Sequence, residues 1–456
     1  MPRPAPLWFV VLGLLCASAS AEPHADRCVV LVSIDGLAGF YLDDPRAELP
    51  TLRRLAREGA RASGMVCSFP TVTWPNHTTL VTGTPPAKHG VIGNNYFDRA
   101  AGKSVQLLVD PVFDKDQIVT SPTIYDVAHE AGLKTSGIVW PATRAAKTLD
   151  WTVPDMGGGG WAKFATPSWL SELREADIPV DRHDYWVTQP TGGVQRDWLY
   201  TRMARQVLTQ HSPNVLMIHL VEVDHVEHKY GPRTVDAYWA VSQADDRLRD
   251  LVEAIAASPL GPKTTLFVCS DHGFYPIERD IRPNVLLRQL ALTAADKSAK
   301  PKAACVTQGG GCAIYVLDDA RRDDLVLQLA EQFRHTEGVA AVYLPDDFAK
   351  IGQPSRAVNP NAADLWLSAA KGYSFSDSAA GEQAVAPRDA VAGTHGYDPE
   401  QDDLLATCVL WGYGVKPGVN LGRISNLDVA PTMAKVLGVP MPSADGKPLA
   451  AALKDE

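Results

Sequence analysis

The sequence predicts an α/β protein: a doubly wound, mostly parallel sheet with helices on both faces and cap segments inserted above one edge. Three observations carry this expectation. Short β-branched apolar runs recur along the 456 residues, they alternate with stretches of helical period, and three of the runs end directly on acidic residues. Continuous apolar runs are what strands covered on both faces require, and their alternation with helices is the pattern of a parallel sheet.

The elements follow in order. Arg3 precedes an apolar run at 7–15 and then Ala19-Ser20-Ala21. The run is too short to span a bilayer, and the small-x-small site behind it reads as a secretory signal peptide, residues 1–21, cut after Ala21. Leu15 stands before Cys16 where lipid attachment needs a small residue, which argues against a lipoprotein. No later stretch supplies about 18 uninterrupted apolar residues, so the mature chain is expected to lack a membrane span and to be periplasmic or secreted. It should form a single domain, 22–456. The first strand run, 29–34, leads into Asp35-Gly36, with helical period at 52–58. Another helical stretch at 123–131 precedes the run 136–140. Residues 151–196 break the rhythm with Gly157 to Gly160 in a row and several Trp and Tyr, and are expected to be an insertion. The run 215–221 leads into Glu222-Val223-Asp224 and the long helical stretch 235–256, and the run 264–270 leads into Asp271-His272-Gly273. From about 283 to 391 the pattern departs again, with a strand run at 313–317 and helical period at 323–333, and a cap subdomain is expected. The run 405–411 closes the core.

Composition narrows the function classes. Asp+Glu outnumber Lys+Arg by 53 to 43 and no basic run tracks a phosphate backbone, so wrapping nucleic acid is not the expected task. Six cysteines follow the signal segment. Cys305 and Cys312 flank Gly309-Gly310-Gly311 and are expected to pair, while Cys269 and Cys408, inside apolar runs, read as small buried thiols.

In open α/β sheets, ligands bind beyond the carboxyl ends of the strands. Three strand ends here deliver Asp35, Asp224 and Asp271 to one edge. Carboxylates brought together without Lys or Arg repel one another, and a divalent cation is the simplest neutralisation. His228, four residues after Asp224, His272 beside Asp271, and His395 in Gly393-Thr394-His395-Gly396-Tyr397 supply imidazoles. Mixed Asp/His ligation favours zinc over calcium or magnesium and leaves manganese or iron open. Three Asp and three His suffice for two sites of three protein ligands, each with open positions. Two metals about 4 Å apart suit displacement at phosphorus or sulfur. The attacking group is sought in the 69–80 stretch, where Thr73 stands at the start of a helix-like segment whose amides attract an oxyanion. The alternative for Thr73 is a helix cap.

Pro70-Thr71-Val72-Thr73-Trp74-Pro75-Asn76-His77, His89-Gly90-Val91, Asn94-Asn95, Asp224 with His228-Lys229-Tyr230-Gly231-Pro232, Ser270-Asp271-His272-Gly273 and Gly393-Thr394-His395-Gly396-Tyr397 together resemble the nucleotide pyrophosphatase/phosphodiesterase family of the alkaline phosphatase superfamily. The resemblance runs from about residue 29 to 437. It implies an alkaline-phosphatase-like catalytic domain holding two Zn2+ and acting on a phosphate-ester or nucleotide small molecule. By the same resemblance Thr73 is the nucleophile that becomes phosphorylated or nucleotidylated. Asp35, Asp271, His272 and the Thr73 oxygen hold one zinc, and Asp224, His228 and His395 the other. Asn94, with a backbone amide near Thr73, holds a non-bridging phosphate oxygen, and Trp74 offers a stacking face to the substrate, with plain core packing as its alternative. Thr73→Ala is expected to remove most of the chemical step and Thr71→Ala to be mild. The 151–196 stretch does not match the family's base-pocket region, so a nucleotide preference is not implied with the metal chemistry.

Other readings differ in what they require. A sulfatase needs a C/S-x-P-x-R run, and Cys67-Ser68-Phe69-Pro70 lacks it. A serine hydrolase needs a G-x-S-x-G elbow, which is absent. A structural zinc module closes its metal with four ligands, often cysteines. A phosphomonoesterase or phosphonate hydrolase uses nearly the same ligands and stays open as the alternative.

Overall fold

A computed structural model describes residues 23–293 and 300–455; the predicted signal segment 1–21 lies outside them. The main sheet has eight strands in the order Val419–Asn420, Ala60–Arg61, Cys408–Gly412, Thr264–Cys269, Cys28–Ile34, Val215–Leu220, Thr135–Ile138, Trp151–Val153. The five from Thr264–Cys269 to Trp151–Val153 are parallel, and Cys408–Gly412 runs antiparallel to Thr264–Cys269. The doubly wound, mostly parallel α/β sheet expected from the sequence is therefore present.

The central strand shows why its run carries no polar alternation. Val30 and Val32 feed one apolar core with Leu52 and Leu55 of helix Pro50–Glu58, Met203 and Val207 of Gly193–Gln210, and Leu248 and Leu251 of Val235–Ala257. Val29 and Leu31 feed the opposite core with Leu80 of helix Thr73–Thr82, Ile124 of Ile124–Glu130 and Met433 of Val429–Leu437. Successive side chains point to opposite faces, so both must be apolar.

Two expectations need adjusting. Residues 151–153 are an edge strand of the main sheet rather than inserted chain; short helices then fill the stretch up to Gly193–Gln210. The run 313–317 belongs to a second, four-stranded antiparallel sheet, ordered Ala303–Gln308, Gly311–Val316, Leu365–Ala369, Val339–Tyr343, with its own core of Ile314, Leu329, Phe333 and Leu367. A three-stranded sheet of Gly372–Phe375, Tyr275–Ile281 and Val385–Thr394 connects it to the main sheet. Among the described residues no helix is long and apolar enough to cross a membrane.

The expected Cys305–Cys312 disulfide is absent, and all six described cysteines are free. In the hairpin Cys305 stands opposite Ile314 and Cys312 opposite Thr307, so the thiols are diagonal neighbours rather than a facing pair. Cys269 and Cys408 do face each other across adjacent strands, buried, with Sγ atoms 3.8 Å apart.

Candidate metal centre

Three neighbouring strands deliver the acidic groups. Asp35 follows Cys28–Ile34 directly, Asp271 lies two residues beyond Thr264–Cys269, and Asp224 sits in the first turn of helix Glu222–Tyr230, which begins just after Val215–Leu220. Gly36 (φ +75°) allows the turn after Asp35; a Cβ there would lie 2.7 Å from Phe274. Its N–H donates to Asp271 Oδ1 at 3.1 Å.

His395 arrives from the small three-stranded sheet. Thr394 pairs with Tyr275, just beyond His272, and the His395 and His272 rings stack with centroids 3.6 Å apart. His228 lies one helical turn after Asp224, its Nε2 3.3 Å from Asp224 Oδ1, the contact the i, i+4 spacing predicted.

The ligand atoms form two interlocked groups, Asp224–His228–His395 and Asp35–Asp224–His272, with Asp224 in both. The sequence assigned Asp224 to one group only. Asp271 stands beside the second, its Oδ2 3.2 Å from His272 Nε2.

The donor chemistry fits a cation. His228 Nδ1 lies 3.2 Å from the Gly393 carbonyl and His395 Nδ1 2.8 Å from the Thr71 carbonyl. Carbonyls only accept, so each Nδ1 carries a proton, and each Nε2 is the nitrogen that offers a lone pair when the imidazole is neutral. The two Nε2 atoms lie 3.1 Å apart, with Asp224 Oδ1 alongside. Asp35 Oδ1, Asp224 Oδ1, Asp271 Oδ2 and both His272 nitrogens are buried without a hydrogen-bond partner. Buried acceptors left unpaired are costly, and cations at the two groups would satisfy the carboxylate oxygens and the one His272 nitrogen that carries a lone pair.

Burial and neighbouring charge shift these groups in both directions: for His228 burial acts downward, but Asp224 outweighs it and raises the imidazole. Burial, then neighbouring carboxylates, push Asp35 and Asp271 well above the ordinary carboxylate range. Burial, then a neighbouring imidazole, pushes His272 well down and His395 down to about 4. For Asp224 burial acts upward, but His228, His395 and His272 outweigh it and hold the carboxyl low.

Thr73 is the first residue of helix Thr73–Thr82, which caps at Gly83 in the left-handed conformation. Asn76 ties the preceding loop to it, accepting the Ser68 N–H at 2.7 Å and donating to the Pro70 and Val72 carbonyls at 3.1 and 2.9 Å. His77 Nδ1 joins the helix to the cluster, lying 2.9 Å from the Thr73 carbonyl and 3.5 Å from Asp271 Oδ2. Asn94 accepts the Trp74 N–H at 2.8 Å through Oδ1, and its Nδ2 makes no hydrogen bond among the described residues. The Trp74 backbone amide is thus already engaged by Asn94.

Of its two readings, Trp74 matches the packing one. It is 1% exposed and packs among Val91, Ile92, Tyr96, Leu107, Val119 and Ala142, so its burial supports a packing role. Thr71, whose replacement by Ala the sequence predicts to be mild, is a clasp: its carbonyl accepts from His395 Nδ1, its hydroxyl donates to the Tyr397 carbonyl at 3.1 Å, and Gly396 N–H donates to that hydroxyl at 2.9 Å.

The sequence reading missed His219, whose Nε2 lies 2.9 Å from Asp35 Oδ2 and whose ring packs 4.3 Å from that of His77. The signal was present: a lone imidazole inside the apolar run 215–221, opposite Ser33 of the strand that ends on Asp35.

A sheet wound in both directions, with Asp and His gathered at its carboxyl edge beside a helix-borne threonine, is the architecture of the alkaline phosphatase superfamily. Within it the chain belongs to the type I phosphodiesterase/nucleotide pyrophosphatase family, whose model matches residues 29–398. It is 24% identical over 464 residues to ectonucleotide pyrophosphatase/phosphodiesterase family member 7 of Rattus norvegicus, covering 98% of this chain and 92% of that protein. It is also 24% identical to an uncharacterised pyrophosphatase/phosphodiesterase of Schizosaccharomyces pombe, covering 92% of this chain and 78% of the relative. It spans only 23% of the length of Homo sapiens family member 1, at 25% identity. The fold matches human ectonucleotide pyrophosphatase/phosphodiesterase 5 with a TM-score of 0.70 at 20% identity, covering 94% and 100% of the two chains. An inactive threonine-to-alanine form of the murine protein, in complex with AMP, matches at 0.69 and 19% identity, covering 92% and 97%.

Proposed function

We propose that this chain is an exported two-zinc phosphodiesterase and nucleotide pyrophosphatase acting through a covalent phospho-threonine or nucleotidyl-threonine at Thr73. The observation that carries the reading is the pair of interlocked groups, with unpaired lone pairs converging beside the helix that begins at Thr73.

Asp224, His228 and His395 would hold one zinc, and Asp35, Asp271, His272 and the Thr73 oxygen the other, with Asp224 close enough to serve both. When bound, the metals lower the pKa of a coordinated hydroxyl or water and neutralise charge on phosphate oxygens. The chain's own groups do the rest. Thr73 Oγ1 gives up its proton and attacks phosphorus while the ester or anhydride oxygen departs with its electron pair; water then attacks the same phosphorus, gives up a proton, and Thr73 Oγ1 leaves and is reprotonated. Asn94 Nδ2, unpaired and on the Trp74 side of Thr73, donates to a non-bridging oxygen whose charge grows in each transition state.

A neutral amide at that oxygen suits a diester monoanion better than a monoester dianion, which generally calls for Arg or Lys. A nucleotide as one ester arm is supported by the AMP complex of the murine relative. Export is supported by the predicted signal segment and by relatives named as ectonucleotide and venom enzymes. The test is a side-by-side comparison of a 4-nitrophenyl nucleotide diester with 4-nitrophenyl phosphate at one pH and one zinc concentration. The diester is expected to win in kcat/KM by at least about tenfold, roughly 1.4 kcal/mol. Equal or higher efficiency on the monoester assigns the chain to the phosphomonoesterase alternative.

A further inference from the structure

We infer that Gln308, carried by the second sheet, is a positioning residue for Asn94; this rests on the role proposed above for Asn94. Gln308 ends strand Ala303–Gln308 and is 4% exposed. Its side chain holds the backbone on both sides of the Asn94 carbonyl. Oε1 accepts the Asn94 N–H at 3.1 Å, and Nε2 donates to the Asn95 carbonyl and to Asn95 Oδ1, each at 2.7 Å. An amide offers one acceptor and one donor end, and here both ends are used on two consecutive residues. Gly93 makes room for it: a Cβ there would lie 2.6 Å from Gln308 Nε2.

The hydrogen bonds continue toward the chemistry. Asn94 Oδ1 accepts from Trp74 N–H, next to Thr73, so the Asn94 amide is pinned at its backbone by Gln308 and at its oxygen by the threonine-bearing helix. With the backbone and Oδ1 fixed, the direction of Nδ2 is fixed too. The same hairpin turn reaches the metal ligands, since Gly310 N–H donates to the His395 carbonyl at 2.7 Å. A Cβ on Gly396 (φ +100°) would lie 1.7 Å from the Gln308 carbonyl oxygen. The second sheet thus braces the anion-binding donor, and Gln308 is the side chain through which it does so.

A mispointed donor weakens transition-state stabilisation more than ground-state binding. In the metal-loaded full-length protein, Gln308→Met removes both polar ends at similar length. With bis(4-nitrophenyl) phosphate as the probe, it is expected to lower kcat at least tenfold while KM and metal content stay within about twofold. Gln308→Glu keeps the acceptor for Asn94 N–H but sets its second oxygen against the Asn95 carbonyl and Oδ1, both acceptors, and should lower kcat at least as much as the Met variant; it carries the experiment if the Met variant does not fold. The deciding measurement is a double-mutant cycle. In an Asn94→Ala background the Gln308 substitution should cost no more than about twofold. Near-parental kcat in both Gln308 variants overturns the inference, as does an undiminished loss in the Asn94→Ala background, which marks a structural role. Asn94→Ala at parental rate overturns the Asn94 assignment itself and this inference with it.

Discussion

Removing the charge of Asp224 is expected to empty both metal positions, because its carboxylate is the ligand the two groups share. Asp224→Asn keeps an oxygen where the carboxylate stood, so volume and one lone-pair site are conserved and the charge alone is lost. Asp224 Oδ1 lies 3.3 Å from His228 Nε2 and 3.6 Å from His395 Nε2. A unit charge pair about 4 Å apart at an effective dielectric near 20 is worth about 4 kcal/mol. That predicts an affinity loss of about a thousandfold at each position. Equilibrium dialysis against a graded chelator, with elemental analysis of zinc per chain, reads this directly, and circular dichroism confirms the fold. Asp245→Asn is the control: it removes a buried carboxylate that accepts the Thr51 and Leu52 N–H groups at 2.9 and 2.8 Å, remote from the site, and should cost about 1–3 kcal/mol of stability without changing zinc content. Retention of both zinc ions within tenfold of the parent affinity would refute the shared-ligand reasoning.

Further predictions separate the nearby roles. Thr73→Ala should abolish most of kcat on a diester with zinc content intact, whereas Thr71→Ala, which loses the hydroxyl's bonds to Gly396 N–H and the Tyr397 carbonyl, should lower zinc affinity by loosening the His395 loop; near-parental kcat in Thr73→Ala with zinc bound would sink the covalent reading. His219→Phe keeps a ring but removes the hydrogen bond to Asp35, and should weaken zinc binding about 10- to 100-fold in a chelator competition; an unchanged affinity would leave His219 a packing residue. Burial pulls His89 down to about 3, its Nδ1 accepting Val91 N–H and its Nε2 beside Thr79 Oγ1. The native imidazole therefore stays neutral while the unfolded one takes a proton below about 6.5, so this contribution is complete above pH 6.5 and lost as pH falls toward 3. His89→Gln should flatten the acid slope of denaturation stability by up to about 1.4 kcal/mol per pH unit in that window; an identical slope would refute it.

Asp35, Asp224 and Asp271 could be placed from sequence because strand-end position depends only on local pattern. Asp224–His228 could be placed because helical period sets an i, i+4 contact. His395 stood near no apolar run of the main sheet, and only its motif marked it; its approach depends on Val385–Thr394 pairing with Tyr275–Ile281, a non-local choice no periodicity encodes. Trp74 stood between two readings for a related reason. Adjacency to Thr73 suggested a substrate face, but on a helix buried on every side the next residue points into the interior. Gln308 and Thr71 were illegible because their partners lie more than 200 residues away in sequence.

The order in which the ligands occur along the chain governs when a metal can be captured during biosynthesis. Asp35 comes first, and the Asp35–Asp224–His272 group is complete once His272 has been made. The other group waits for His395, which is held by Thr71 from near the start and placed by a strand from near the end. A nascent or truncated chain ending short of residue 395 therefore carries at most one of the two groups. Both candidate groups together are available only to a chain whose synthesis is nearly finished.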